Sequence, residues 1–374
     1  MVKFFVWCFL ILPWVIIPNA RLSDWSRLPK ETFFDFICLG IICFSFFSGL
    51  KKRYFNKYLS WLALWVFIVC GINWYLPMTL SFGNQRAVNL WTLEAMIHTF
   101  LALWTSYIIL SYFEESDYLY IKKFIKCSAL LICSVALLQK FGLDIYGKIA
   151  IYNNTNKFGA FLDNPNIVAN YLALSVPFFL KKDIKHIIGL LLICFGLSQS
   201  SSEWSMLVAG VGVFIYALLW FRGNRAVLWS LIGGAGLAGA FAGLNIEYLL
   251  SHFGSHRVEL WVVAWDKFKQ NPIFGQGLGV VKSWDLHIPG ISSVWYSVHN
   301  DWFEILIQLG VLGAVLFGIV VVAAIKKFNY KNVQGYDYFV SFLSFLVLMF
   351  AAFPMEVAPL ALFGLLDWWG VETL

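Results

Sequence analysis

The stretch Ser297-Val-His-Asn-Asp-Trp-Phe-Glu-Ile-Leu-Ile-Gln-Leu-Gly-Val-Leu-Gly313 runs from a polar, aromatic loop straight into a long apolar helix. His299 and Asn300 stand at the junction, and Gly310 and Gly313 lie deeper. Residues three and four apart are neighbours on a helix. His299, Phe303, Leu306, Gly310 and Gly313 are therefore predicted to share one face. Glycines on that face would let a second helix approach closely. An interfacial histidine at the start of an ordinary membrane span gives the same pattern. The functional alternative is a histidine at the water boundary above a tight helix contact.

The 374-residue chain is 60% hydrophobic and only 13% charged, where a soluble domain is about 25% charged. Mean hydropathy is +0.74. Apolar runs recur along the whole length, each near the ~20 residues that a helix needs to cross hydrocarbon. The period-two alternation of an outer-membrane barrel is absent. The expected fold is all-α, a polytopic transmembrane bundle of about twelve spans. The runs lie at 1–18, 32–50, 58–76, 90–112, 122–139, 166–180, 185–198, 204–221, 226–244, 301–325, 337–353 and 355–370. The first lacks a small-x-small cleavage site and reads as an uncleaved helix. Pro354, Glu356, Pro359 and Asp367 interrupt the last.

Charge gives orientation. The net charge is +6, spread over short loops rather than gathered on one face, which argues against nucleic acid as a partner. Lys51, Lys52, Arg53 and Lys57 follow the second run, and Lys122, Lys123 and Lys126 open the fifth. Further groups are Lys181, Lys182 and Lys185, then Arg222 and Arg225, then Lys326, Lys327 and Lys331. With Lys3, these fall on the face that a twelve-span chain with both termini inside turns to the cytoplasm. Residues 1–374 read as one integral-membrane domain, with 246–300 a large periplasmic loop between spans nine and ten. The cysteines lie in apolar segments with no C-x-x-C pair, so neither a disulfide framework nor a zinc site is indicated.

The long loop is rich in tryptophan. Val258, Trp261, Trp265 and Phe268 recur at helical spacing, opposite Arg257, Glu259, Asp266, Lys267 and Lys269. This predicts an amphipathic helix on the membrane surface, stopped by Asn271-Pro272. Gly275-Gln-Gly-Leu-Gly279 reads as a flexible turn. Without a βαβ context it is no dinucleotide site. Gly233-Gly-Ala-Gly-Leu-Ala-Gly-Ala-Phe-Ala-Gly243 predicts tight helix packing.

Ionisable residues at membrane depth are functional candidates by default. Glu94 and His98 are four apart and share a helix face, as the lining of a polar cavity or as a self-satisfying pair. Asn164-Pro165-Asn166 is a helix-start signal whose amides could also hold sugar hydroxyls. Glu203 reads as a cap complementing the helix dipole. Asp285, His287, His299 and Asp301 have no diagnostic metal spacing, and no metal or other cofactor is expected.

Three segments carry a family resemblance. Phe158-Gly-Ala-Phe-Leu-Asp-Asn-Pro-Asn-Ile-Val-Ala-Asn-Tyr-Leu-Ala173 resembles the G-x-x-x-N-P-N segment of the O-antigen ligase and O-antigen polymerase superfamily. His256-Arg-Val-Glu-Leu-Trp261 with Asn271-Pro-Ile-Phe-Gly-Gln-Gly-Leu-Gly279 resembles its R-x-x-x-W … P-x-x-G-x-G-x-G loop. His299-Asn300, Gly310 and Gly313 resemble its best-known signature. The three occur in the family's order and cover roughly 150–320. One departure is that Ser198-Gln-Ser-Ser-Ser-Glu-Trp204 lacks the family's arginine; Arg86, Lys157 and Lys282 are candidate replacements.

The resemblance implies a GT-C-like, inverting and metal-independent membrane glycosyltransferase of the bacterial inner membrane. Its donor would be a glycan on undecaprenyl diphosphate. Its acceptor would be lipid A-core in a ligase, or another lipid-linked repeat in a polymerase. The implied reaction needs a cation for the diphosphate, which Arg257 suits because guanidinium binds phosphate oxygens bidentately. It also needs a base for the hydroxyl, which His299 suits, with Glu304 and then Glu94 the next candidate bases. Asn300, Asn164, Asn166, Arg86, Glu94 and His98 would line the substrate site. A small-solute transporter is the rival class, but it would often show repeated halves, and none is visible.

Overall fold

The computed structural model describes residues 27–48, 57–75, 85–112, 114–143, 159–162, 164–200, 202–244, 257–283, 286–287, 294–295, 297–329, 331–350, 352, 354–356 and 358–373, with 4, 8 and 10–12 near the N-terminus. The first expected span lies largely outside them.

Twelve α-helices occur among the described residues. They are α1 (Arg27–Ser48), α2 (Lys57–Tyr75), α3 (Gln85–Tyr112), α4 (Glu115–Lys140), α5 (Pro165–Ser175), α6 (Ile184–Ser200), α7 (Glu203–Trp220), α8 (Arg225–Leu244), α9 (Arg257–Phe268), α10 (Asp301–Lys327), α11 (Tyr336–Leu348) and α12 (Ala358–Thr373). Each apolar run from 32–50 onward coincides with a helix, and α9 is the helix expected in the long loop. The described residues are all-α apart from a two-residue ladder. In it β1 (Leu286–His287) pairs antiparallel with β2 (Val294–Trp295). Among the described residues, α7 and α10 are long and apolar enough to cross a membrane by length and composition.

The helices form two groups joined by α12. One group packs α1 on α3, α2 on α3 and α2 on α10. The other packs α4, α5, α6, α7 and α11. Helix α12 touches α1, α3, α5, α10 and α11. The centre of the second group is α5. Every residue from Val168 through the following 3-10 turn, Val176–Phe179, is buried. Asn164 starts α5 by accepting the Asn166 N–H at 2.8 Å, and Pro165 occupies the first turn, where no N–H is needed. Large apolar side chains such as Phe36, Trp61, Phe67, Leu191 and Trp229 face outward, as expected of helices solvated by lipid.

Buried polar groups tie the helices together. Lys122 on α4 meets Asp337 on α11 at 2.9 Å and donates to the Gln334 carbonyl at 2.8 Å. Asp367 on α12 is fully buried, with Ser341 on α11 at 2.5 Å. Unpaired ionisable groups in such a core are costly, so these contacts select the α4–α11 and α11–α12 neighbours.

Gly233, Gly234 and Gly236 on α8 face open space. At these three positions of the 233–243 stretch the expected tight packing is not seen.

Candidate functional site

Helix α10 begins at the quoted junction. Asn300 caps it, its side-chain oxygen accepting the Phe303 N–H at 3.0 Å. Such a cap contributes about 1 kcal/mol. Asn300 thereby has a structural role, and its own side chain is buried. Asp301 fixes the helix start from below. Its N–H donates to the Met349 carbonyl at 2.8 Å, and its carboxylate accepts the Met355 N–H at 2.8 Å.

His299 precedes the cap with φ +54°. That left-handed conformation is uncommon outside glycine, though histidine is among the residues that adopt it. It turns the chain sharply into α10. The His299 N–H donates to Ser297 Oγ at 3.2 Å. Burial, and then the charge of Arg257, push the imidazole down to about 4. At neutral pH it is therefore the uncharged form that can accept a proton.

Arg257 is the first residue of α9. Its charge helps to lower the His299 pKa, and burial lowers its own. Its Nη1 is buried with no hydrogen-bond partner among the described residues. A desolvated guanidinium nitrogen without an acceptor is costly, and an anion would satisfy it bidentately. The wheel of α9 differs from the expected one. Leu260, Ala264 and Phe268 form its buried face, with Arg257 and Trp261 half-buried beside them. Val258, Val262 and Trp265 make a separate exposed apolar stripe. Arg257 therefore sides with Trp261, not with Glu259 and Asp266, because residues four apart share a face.

Glu304, the second candidate base, is buried. Its Oε1 accepts Ser297 Oγ–H and Val298 N–H, each at 2.7 Å. Those bonds make it a holder of the His299 loop.

Deeper in α10, Gly310 breaks the helix at φ 69°, ψ −177°. The glycine-rich segment fills the break. Gln276 N–H donates to the Ile307 carbonyl at 2.8 Å and Gly277 N–H to Gln308 at 3.0 Å. Val311 N–H donates to Pro272 at 2.9 Å. Trp65 of α2 donates its indole N–H to the Leu309 carbonyl at 3.0 Å. Backbone groups freed by the break are thus satisfied by the neighbouring chain. Gly275-Gln-Gly-Leu-Gly279 is therefore a docked strap rather than a flexible turn. A Cβ on Gly310 would stand 2.1 Å from the Ile273 oxygen, and one on Gly275 2.4 Å from the Gln308 oxygen. The expected single face from His299 to Gly313 is interrupted here. It is loop rather than helix that approaches Gly310, while Trp65 of α2 packs on Gly313.

Residues 187–318 match the model of the O-antigen ligase family.

That O-antigen ligase segment holds Arg257, His299, Asn300, Glu304, the glycine strap and Gly310. The sequence resemblance to the superfamily is thus supported over α6–α10. Over that segment the chain is similar to the O-antigen ligase family. No curated protein matches the chain.

Arg86, Glu94, His98, Lys157, Asn164 and Asn166 lie outside the O-antigen ligase segment. Asn164 and Asn166 act in the α5 cap. Sequence reasoning passed over Asn170, which is buried and accepts Ser205 Oγ–H at 2.7 Å, joining α5 to α7. His98 does not pair simply with Glu94. Its Nε2 meets Asp35 of α1 at 2.8 Å, a partner that no local spacing reveals. The Arg86 and Lys282 side chains, together with Lys157 and Asp285, lie outside the described residues. The structure thus brings Arg257, His299, Asn300 and Glu304 together, and sets Asn164 and Asn166 in a structural role elsewhere.

Proposed function

We propose that this chain is an O-antigen ligase-like glycosyltransferase. It moves a glycan from undecaprenyl diphosphate to a hydroxyl of lipid A-core at the periplasmic face of the bacterial inner membrane. The observation that carries this is the buried Nη1 of Arg257, without a hydrogen-bond partner among the described residues, on a side chain whose charge acts on an uncharged His299, both within the O-antigen ligase segment. The chain would cross the membrane about twelve times, both termini inside, with 246–300 outside between spans nine and ten.

The chemistry is a single displacement. The acceptor oxygen attacks the anomeric carbon as the bond to the diphosphate breaks, inverting the centre. His299 takes the hydroxyl proton. Arg257 binds the diphosphate, where negative charge develops, in a desolvated site that strengthens the attraction. Neither step calls on a metal. Beneath α9, the donor's lipid tail could stay in the bilayer while its diphosphate reaches Arg257, and the exposed Val258, Val262 and Trp265 suit that boundary.

Complementation of two deletion strains, one lacking ligase and one lacking polymerase, tests the assignment through lipopolysaccharide banding. Full ladders are expected in the ligase-deficient strain. Ladders only in the polymerase-deficient strain would make the chain a polymerase joining lipid-linked repeats. Restoration of neither, with labelled-solute uptake by proteoliposomes, would favour a transporter.

A further inference from the structure

Transfer needs the cation and the base at a fixed separation, and side chains outside the reacting pair set it. We propose that Trp261 and Glu304 are positioning residues, which strap the His299 loop between α9 and α10 and so hold the imidazole beside Arg257. The proposal rests on the reading of Arg257 and His299 as the transfer pair.

Trp261 lies one turn after Arg257 on the same face of α9. Its indole N–H donates to the Val298 carbonyl at 3.0 Å. Glu304, on the first turns of α10, accepts the Val298 N–H and the Ser297 hydroxyl, each at 2.7 Å. Both backbone polar groups of Val298 are thus held by side chains, one from each helix. Ser297 Oγ in turn accepts the N–H of His299. Below the strap, Val298 packs in an apolar cluster with Leu260, Ala264, Phe268, Val281 and Ile307.

This arrangement explains the left-handed backbone of His299, since such conformations persist where the surroundings over-determine them. It also assigns Glu304. Two of its acceptor positions are filled by loop donors, so taking a substrate proton would mean giving up the strap. Sites held by rigid helices and supporting hydrogen bonds keep their geometry best. Here one indole links the helix that carries the cation to the residue before the base.

The test uses the full chain in proteoliposomes, with undecaprenyl-diphosphate-linked O-antigen and lipid A-core, and the variants Glu304→Ala, Glu304→Gln and Trp261→Phe. Glu304→Ala and Trp261→Phe are expected to lower kcat by up to about 10²-fold, the cost of a displacement near 1 Å, with the donor KM little changed. Both should raise the rate of diethyl pyrocarbonate modification at His299 at pH 6. Both should also move the acid limb of kcat/KM upward from about 4 as the imidazole gains solvent. Glu304→Gln should recover most of the turnover lost in Glu304→Ala, because its amide oxygen can still accept both loop donors. A Gln variant as inactive as the Ala variant would make Glu304 a proton carrier and overturn the proposal. So would a Trp261→Phe enzyme with unchanged limb and unchanged His299 reactivity; that arm decides if Glu304→Ala does not fold. Near-normal turnover in His299→Ala would instead remove the transfer-pair reading itself.

Discussion

Two glycine-rich stretches in this chain behave in opposite ways. Gly275-Gln-Gly-Leu-Gly279 and Gly310 meet backbone to backbone, and a Cβ on either side would clash with main-chain atoms. Gly233, Gly234 and Gly236 on α8 meet nothing within 4 Å. In sequence, the α8 stretch has the stronger small-residue pattern. What separates them is hydrogen bonding. Gly310 interrupts a long apolar helix, and carbonyls freed there must find donors where water is absent. The N–H groups of Gln276 and Gly277 supply them. At Gly233, Gly234 and Gly236 the helix supplies its own bonds, and no other atom comes within 4 Å of where a Cβ would stand.

Substitution separates the two stretches. Gly310→Ala adds a Cβ at 2.1 Å from a carbonyl oxygen, in a backbone region essentially restricted to glycine, at about 1–3 kcal/mol for the strain alone. Loss of the folded monomer in detergent, or a large fall in Tm, is expected; a Tm near wild type would mean that the docked strap is not there. Gly313→Ala should cost less, about 1–3 kcal/mol, because no left-handed strain is added: the new Cβ meets the Leu309 Cβ at 2.3 Å and the Trp65 ring at 2.9 Å, and the ring can shift at the expense of its bond to the Leu309 carbonyl. A lowered Tm that is not lowered further by adding Trp65→Phe would show that coupling. Gly234→Ala should be neutral or stabilising by about 0.5–1 kcal/mol, since alanine loses less entropy in a helix. Destabilisation there would reveal a partner for α8.

Much of the fold was legible because apolar runs carry it. Each run beyond residue 30 coincides with a helix, and Asn300 and Asn164 cap their helices as their residue types suggest. The break in α10 was not legible. A lone Gly310 inside Leu309-Gly-Val311 looks like any membrane glycine, and its partner lies thirty-odd residues upstream. The wheel of α9 misled because tryptophan suits both membrane and core. Trp265 faces outward while Trp261 turns in to bond Val298. The candidate site was proposed from His299-Asn300 and Arg257, which the family pattern marks. Its supports were not, since the bonds of Ser297 and the pairing of Asp35 with His98 depend on segments brought together only by folding.

The most direct measurement is transfer by His299→Gln in proteoliposomes, followed in single turnover with donor binding measured separately. Glutamine can keep a hydrogen bond but cannot take a proton near neutral pH. A general base contributes typically about 10²–10⁴-fold, so turnover should fall by that order while the donor still binds through Arg257. Turnover within a few-fold of wild type would contradict the account, leaving His299 to position the acceptor and the proton to another group.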